Sequence, residues 1–220
     1  MLIRHVMQTS NSKNIVKDGL VLWLDGKDFT NNPQTNPLLD RSGQGNNGTP
    51  GGFAYTTSSG SDENGGIVFD GVNDYLNCNM PLLNATEFTI SFWINHNGYI
   101  PANRGAIIDQ YKVRQSGRFL YWFNNGKLAI GGQYQSVEVD PPYTSDWYFT
   151  TITFKDSKLN VSFNNTNMIT DFSFSPIYQG VNTKIGGVYD TYFNGSIHNV
   201  QIYNKALTQA EITQNYNATK

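Results

Sequence analysis

Cysteine is almost missing: Cys78 stands alone in 220 residues, which excludes an intrachain disulfide and a thiolate metal cluster. Charge is sparse too. Fifteen basic residues face 17 acidic ones with no Lys/Arg run, so no nucleic-acid footprint or anionic-membrane patch is supported. No stretch reaches the roughly 18 apolar residues of a membrane-spanning helix, which excludes membrane insertion by a helix. The opening MLIRHVMQTSNSKNIVKDG lacks the apolar core of an ordinary secretion signal. Action outside a cell is therefore expected to need non-classical release, such as lysis, or incorporation into an assembly.

Catalytic patterns are missing in turn. Paired-carboxylate glycoside hydrolysis needs two acids about 5 or roughly 6.5–9.5 Å apart. Only four glutamates occur: Glu63, Glu87, Glu138 and Glu211. Glu138 and Asp140 share a strand face by spacing, but Pro141–Pro142 directly after them mark an edge. His5, His96 and His198 lie far apart without a zinc spacing. No serine sits in a G-x-S-x-G elbow, and Gly-rich 43–52 lacks the Gly-Lys-Ser/Thr ending of a phosphate loop. The sequence reads as a non-enzyme.

What is present is a β-domain. Aromatics make up 14% of the chain and hydrophobic residues 38%, an ordered composition able to bury a core. The 27 asparagines suit a neutral, turn-rich surface. Residues 1–18 precede the first strong strand pattern, GLVLWLD, and read as an N-terminal arm; residues 19–220 read as one domain. Between 26 and 66 the chain is loop-like, with one or two short strands expected near FAY at 53–55. Strand patterns then follow at 8–12-residue spacing, and EFTISFWIN alternates with Phe88, Ile90, Phe92 and Ile94 on one face. Lys155–Asp156–Ser157 and Asn125–Gly126 read as hairpin connections. In GSIHNVQIY the inward face stays open: Ile197, Asn199 and Gln201 oppose His198, Val200 and Ile202.

One helix is credible. Thr208 and Glu211 form a capping box ahead of TQAEITQNY, with Ala210 and Ile212 expected to touch a sheet. Without helices alternating with strands, the fold class is all-β: a two-sheet antiparallel sandwich with an N-terminal arm and one short C-terminal helix.

Two candidate site types remain. Asp25, Asp28, Asp40 and Asp74 lie in loop-rich sequence and could supply oxygen ligands to calcium, or close Asx turns on their own backbone. Tyr99, Tyr134, Tyr143 and Tyr189 fall in loops or at strand ends, where an aromatic face could stack on a sugar or simply pack.

The ordered set GLVLWLD, DRSGQGNNGT, IVFDGVNDYL, FTISFWIN and FNGSIHNVQIYNKALTQAEI resembles the laminin G-like, concanavalin A-like jelly-roll family over residues 19–216. The resemblance implies two packed antiparallel sheets with the first and last strands adjacent. It makes the FDG…DY segment a structural signature: Phe69 in the core, Asp70 and Asp74 holding a turn, Gly71 permitting it, Tyr75 packing on a sheet. It also implies calcium at loop acids in some members and glycans at a concave face or rim. The Glu-x-Asp-x-x-Glu strand of catalytic relatives is missing here. The expected function is a non-catalytic structural or adhesion module of a larger assembly such as a bacteriophage virion, attached to protein subunits through residues 1–18. The alternative is a carbohydrate-binding module with calcium-supported loops and a cell-surface glycan as partner. The expected location is a virion or an extracellular surface.

Overall fold

A computed structural model of the chain describes residues 14–32, 37–62, 64–81, 86–96, 105–110, 119–124, 127–131, 136–142, 146–173, 182–188 and 191–220. The first strands are β1 (Leu20–Leu24), β2 (Gly48–Gly51), β3 (Gly60–Ser61), β4 (Ile67–Asp70) and β5 (Tyr75–Pro81). Next come β6 (Glu87–Asn95), β7 (Gly105–Gln110), β8 (Phe119–Asn124), β9 (Lys127–Gly131) and β10 (Ser136–Val139). The series ends with β11 (Tyr148–Lys155), β12 (Lys158–Phe163), β13 (Thr166–Ser173), β14 (Asn182–Ile185), β15 (Gly187–Val188), β16 (Thr191–Tyr192) and β17 (Asn194–Tyr203). Helix α1 (Gln209–Thr219) closes the chain.

Apart from β15 and β16, which pair only with each other, the strands form two antiparallel sheets packed as a sandwich. The first runs β13-β12-β11-β6-β17-β4-β3, and the second β10-β9-β8-β7-β14-β5-β2. β17 pairs with β6 along one edge. Its other edge is shared, β4 taking Asn194–Ile197 and β1 taking Val200–Tyr203. First and last strands are thus neighbours, as the resemblance implies.

β6 explains the layering. Phe88, Ile90, Phe92 and Ile94 enter the core between the sheets. Thr89, Ser91 and Trp93 point the other way and are buried as well, because the C-terminal segment lies over them. Thr89 Oγ1 donates to Lys205 O at 2.9 Å and accepts from Leu207 N at 2.8 Å. Trp93 Nε1 donates to Thr219 Oγ1 at 2.9 Å, and its ring stacks on Tyr216.

Helix α1 starts at the expected box: Thr208 Oγ1 accepts from Glu211 N, and Glu211 Oε2 accepts from Thr208 N. Its buried residues are Ile212, Asn215, Ala218 and Thr219. Ala210 is exposed, contrary to the sequence expectation. The sheet-facing stripe begins one turn later, because the first turn is occupied by the cap and by Gln209 bonding Asn165.

Residues 14–18 belong to the same packed unit, so the expected arm boundary at 18 falls too late. Ile15 and Val16 are buried against Leu20, Trp23, Tyr203, Leu207, Ile212 and Ala218. Val16 N donates to Asn215 Oδ1 at 2.9 Å, and Tyr203 Oη donates to Val16 O. An apolar pair next to the first strand finds the open outer face of the sheet.

Three further differences have local causes. The one or two short strands expected near 53–55 are two, β2 and β3, and they flank that stretch while Phe53 packs into the core. The open question in β17 is resolved by a bulge: Asn199 adopts φ 54° and the register shifts between His198 and Gln201. Ile197, Val200 and Ile202 therefore all reach the core. β13 was not anticipated; it follows an Asn164–Asn165 turn whose φ values of 47° and 66° match the Asp156–Ser157 turn at 49° and 60°. Asn125–Gly126 lies outside the described residues, between strands that pair at Asn124 and Lys127.

The signature segment carries the chain from the first sheet to the second. Phe69 is in the core. Asp70 Oδ1 accepts from Val72 N at 2.8 Å, and Asp74 Oδ2 accepts from Asp70 N at 3.0 Å. Gly71 adopts φ 80°, and an added Cβ would lie 3.0 Å from the Asn194 side chain. Gly71→Val is expected to cost about 1–2 kcal/mol, the left-handed penalty, since Asn194 can yield. Chemical denaturation of the variant checks this.

Candidate functional site

At the rim, β1 hands over to Asp25, whose carboxylate is 2% exposed. Asp25 Oδ1 accepts from Lys27 N at 3.1 Å and so caps the 3-10 turn Gly26–Asp28. Arg41 reaches across from the next loop. Its Nε and Nη2 grip Asp28 at 2.7 and 2.6 Å, and its Nη1 donates to Asp25 Oδ2 at 2.5 Å. The guanidinium carbon lies 5.5 Å from the Trp23 ring centre, and Lys17 Nζ sits 4.1 Å from the same ring. The Asp28 bonds hold Arg41 above its usual pKa, although burial pulls it down. Burial lowers Lys17, with the Arg41 charge adding to it.

Asp40 is saturated by the protein itself. Oδ1 accepts from Trp23 N and Ser42 N, each at 2.9 Å; Oδ2 accepts from Ser42 Oγ at 2.7 Å and Asn46 N at 2.9 Å. Asp74 belongs to the signature turn, is fully buried, and has its pKa raised chiefly by that burial. Calcium asks for about 6–8 converging oxygens. Asp25 and Asp28 face a guanidinium, Asp40 faces N–H and O–H donors, and among the described residues no group of three or more His, Cys, Asp or Glu could hold a metal ion. The residues present do not fit the ion.

His198, 2% exposed, backs this network with Nδ1 3.8 Å from Asp25 Oδ1 and its ring edge-on to Trp147. Burial lowers its pKa, against the pull of Asp25; burial likewise lowers His96. The neutral forms are therefore favoured in the folded state. Their stabilisation is complete above the ordinary histidine value near about 6.5 and is lost as pH falls through that value toward the lowered folded ones. Tm is expected to drop between neutral pH and about pH 5, and His198→Gln to flatten part of that drop in calorimetric melts.

Beside Arg41 lies a shallow groove of about 380 Å³. Its lining includes the polar residues Lys27, Asp28 and Thr30 and the largely apolar Leu38, Pro50 and Tyr55. Phe29 is buried beneath, tilted against Phe53 at 4.9 Å and parallel to Tyr55 at 6.2 Å. Leu39, 61% exposed, continues the apolar edge. Tyr55 adopts φ 59°, unusual for an aromatic residue and typical of positions held by surrounding structure for a purpose. A bridge between Thr56 and Ser59 and the bond from Ala54 N to Ser59 Oγ hold that turn. A partly buried aromatic that lines the same groove as an ammonium, a carboxylate and a hydroxyl can hold a small amphipathic ligand.

A second aromatic, Tyr75, lies on the outer face of the second sheet with Lys184 Nζ 4.5 Å from its ring centre. Tyr99, Tyr134, Tyr143 and Tyr189 lie outside the described residues, as does His5. Glu138 is exposed, and Asp140 is an exposed partner of Lys127 at 3.5 Å. Sequence reasoning missed Tyr55, Lys27 and Arg41. The Arg next to Asp40 in DRSGQ was the available hint that the loop acids bring their own counter-charge.

Residues 70–213 match the family model of the concanavalin A-like lectin/glucanases superfamily. No curated protein sequence matches the chain. Among solved structures, the botulinum neurotoxin serotype D ligand binding domain in complex with N-acetylneuraminic acid superposes with TM-score 0.62 at 18% identity, over 94% of this chain and 52% of that one. The binding domain of Paraclostridial Mosquitocidal Protein 1 gives 0.62 at 17%, over 92% and 52%. A Trypanosoma rangeli sialidase gives 0.66 at 13%, over 91% and 32%. The chain spans about half the length of the toxin domains it resembles, and at these identities the likeness is one of fold.

Proposed function

This chain belongs to the concanavalin A-like lectin/glucanase superfamily, and from that premise we propose that it is a non-catalytic module that binds a glycan in the rim groove. The observation that carries the reading is Tyr55: a partly buried aromatic at φ 59° that lines one groove with Lys27, Asp28 and Thr30. Sugars offer an apolar C–H face and a polar hydroxyl rim, and the groove offers the complement of each. Two structural neighbours are binding domains, one of them solved with N-acetylneuraminic acid, which supports a glycan among the ligands to try. The non-catalytic part is supported by the acids themselves. Asp25 and Asp28 are both tied up in ion pairs with Arg41, and Glu138 and Asp140 stand exposed at a strand end.

Titration of a broad glycan panel, N-acetylneuraminic acid included, up to millimolar ligand tests this. Binding is expected, with Tyr55→Ala weakening it about tenfold, the size of one lost aromatic contact, while the variant still unfolds cooperatively. Silence across the panel would reject the reading.

A second reading concerns attachment to a larger assembly, a bacteriophage virion for example, on the outside of the cell. Asn14 O accepts from Gln214 Nε2 at 2.6 Å and Val16 N is bonded to Asn215, so the chain is held to the domain at residues 14–16. Deleting residues 1–13 is expected to block incorporation while leaving the fold intact; unchanged incorporation would rule out this anchor.

A further inference from the structure

We infer that Arg41 is a built-in counter-cation that takes the place of a metal ion at the rim, so that the order of these loops and the shape of the groove are independent of calcium. Asp25 and Asp28 lie in one short turn, and the Asp25 carboxylate is 2% exposed. Two carboxylates brought this close repel each other, and a buried one requires a partner. The guanidinium meets both needs. It donates two bonds to Asp28 at 2.6 and 2.7 Å and a third to Asp25, in the planar fork geometry that suits carboxylates. Its own placement is fixed twice over: Arg41 N donates to Trp23 O at 2.8 Å, and the guanidinium lies over the Trp23 ring.

Direct ligation by a divalent ion would have to displace these bonds. The neighbouring acid offers no alternative, since Asp40 spends both oxygens on four donors from Trp23, Ser42 and Asn46. Asp28 lines the groove, so Arg41 acts on a ligand there only through Asp28 and is a positioning residue. A lysine would supply the charge without the fork, leaving one of the carboxylate contacts unmade.

The test needs no glycan, so its failure is separate from failure of the binding reading. Melts of the full chain are recorded in millimolar calcium and in excess chelator. The native chain is expected to give the same Tm in both. Arg41→Ala is expected to lower Tm by roughly 5–10 °C, from leaving the buried Asp25 charge uncompensated, and Arg41→Lys to fall between. Adding Asp28→Asn to Arg41→Ala is expected to recover part of the loss, because it removes the repulsion between the two carboxylates that the arginine bridges. If Arg41→Ala does not fold, the double variant is expected to. A native Tm that falls on chelation would overturn the inference. So would an Arg41→Ala variant with native stability, or a double variant no better than Arg41→Ala, since packing on Trp23 alone would then account for Arg41.

Discussion

Truncating the chain after Leu207 is expected to yield a protein with no cooperative unfolding transition. The cut removes α1 and with it Ile212, Asn215, Ala218 and Thr219 from the outer face of the first sheet. Left behind are Trp93, Tyr203, Leu20 and Ile15, all buried in the intact chain. Each large apolar side chain returned to water forfeits about 1.5–3 kcal/mol, so a handful equals the whole stability of a typical domain. Polar losses add to this. Trp93 Nε1 loses Thr219, Val16 N loses Asn215, and Tyr203 Oη loses the 2.9 Å bond from Asn215 Nδ2. Circular dichroism melts and gel filtration check the expectation. A truncated chain that melts cooperatively near the native Tm would show that the helix is an accessory. Trp93→Ala, at about 3–5 kcal/mol, is the gentler version of the same test.

The second large effect is expected at Gly186, where the chain breaks between β14 and β15. Its φ is 88°, and an added Cβ would lie 2.0 Å from a ring carbon of Phe69. Phe69 is 1% exposed and packs against Phe53 and Phe193, so it has nowhere to go. Gly186→Ala therefore combines left-handed strain with overpacking, for a cost of about 3 kcal/mol or more by equilibrium denaturation. The comparison with Gly71 is instructive. Gly71 is the more conspicuous residue in FDGVNDY, yet its neighbour is a movable asparagine. The less conspicuous Gly186 seats the signature phenylalanine. A larger loss at Gly71 than at Gly186 would invert this ranking.

The fold was readable wherever side-chain alternation and burial agree. EFTISFWIN gave β6 with its bounds and core face, and the Thr208–Glu211 box marked the start of α1. Alternation failed where the backbone departs from regular pleating. β17 inserts a bulge at Asn199, so a reading in steps of two could not choose a face. β13 sits at a sheet edge with Met168 exposed and Asp171 at φ 57°, leaving little apolar pattern to see. The Asn164–Asn165 pair announcing it is a hairpin signal that was available.

The groove was less legible because it is assembled from loops. Lys27 with Asp28, Leu38 and Tyr55 come from three places in a segment with almost no strand pattern, and their meeting depends on the Arg41 lock and the Phe29–Tyr55 contact. Loop acids read one at a time suggested an ion. Read with the arginine among them, Asp25 and Asp28 form an ion-paired frame.

The most direct measurement is an NMR titration of the isotope-labelled chain with the best glycan from the panel, followed residue by residue. The account predicts shifts clustered at Lys27 to Thr30, Leu38, Leu39 and Tyr55, identical in calcium and chelator, with the glycan recovered uncleaved. Shifts confined to Tyr75, Lys184 and Asn77 on the outer face of the second sheet, or a cleaved glycan, would contradict it.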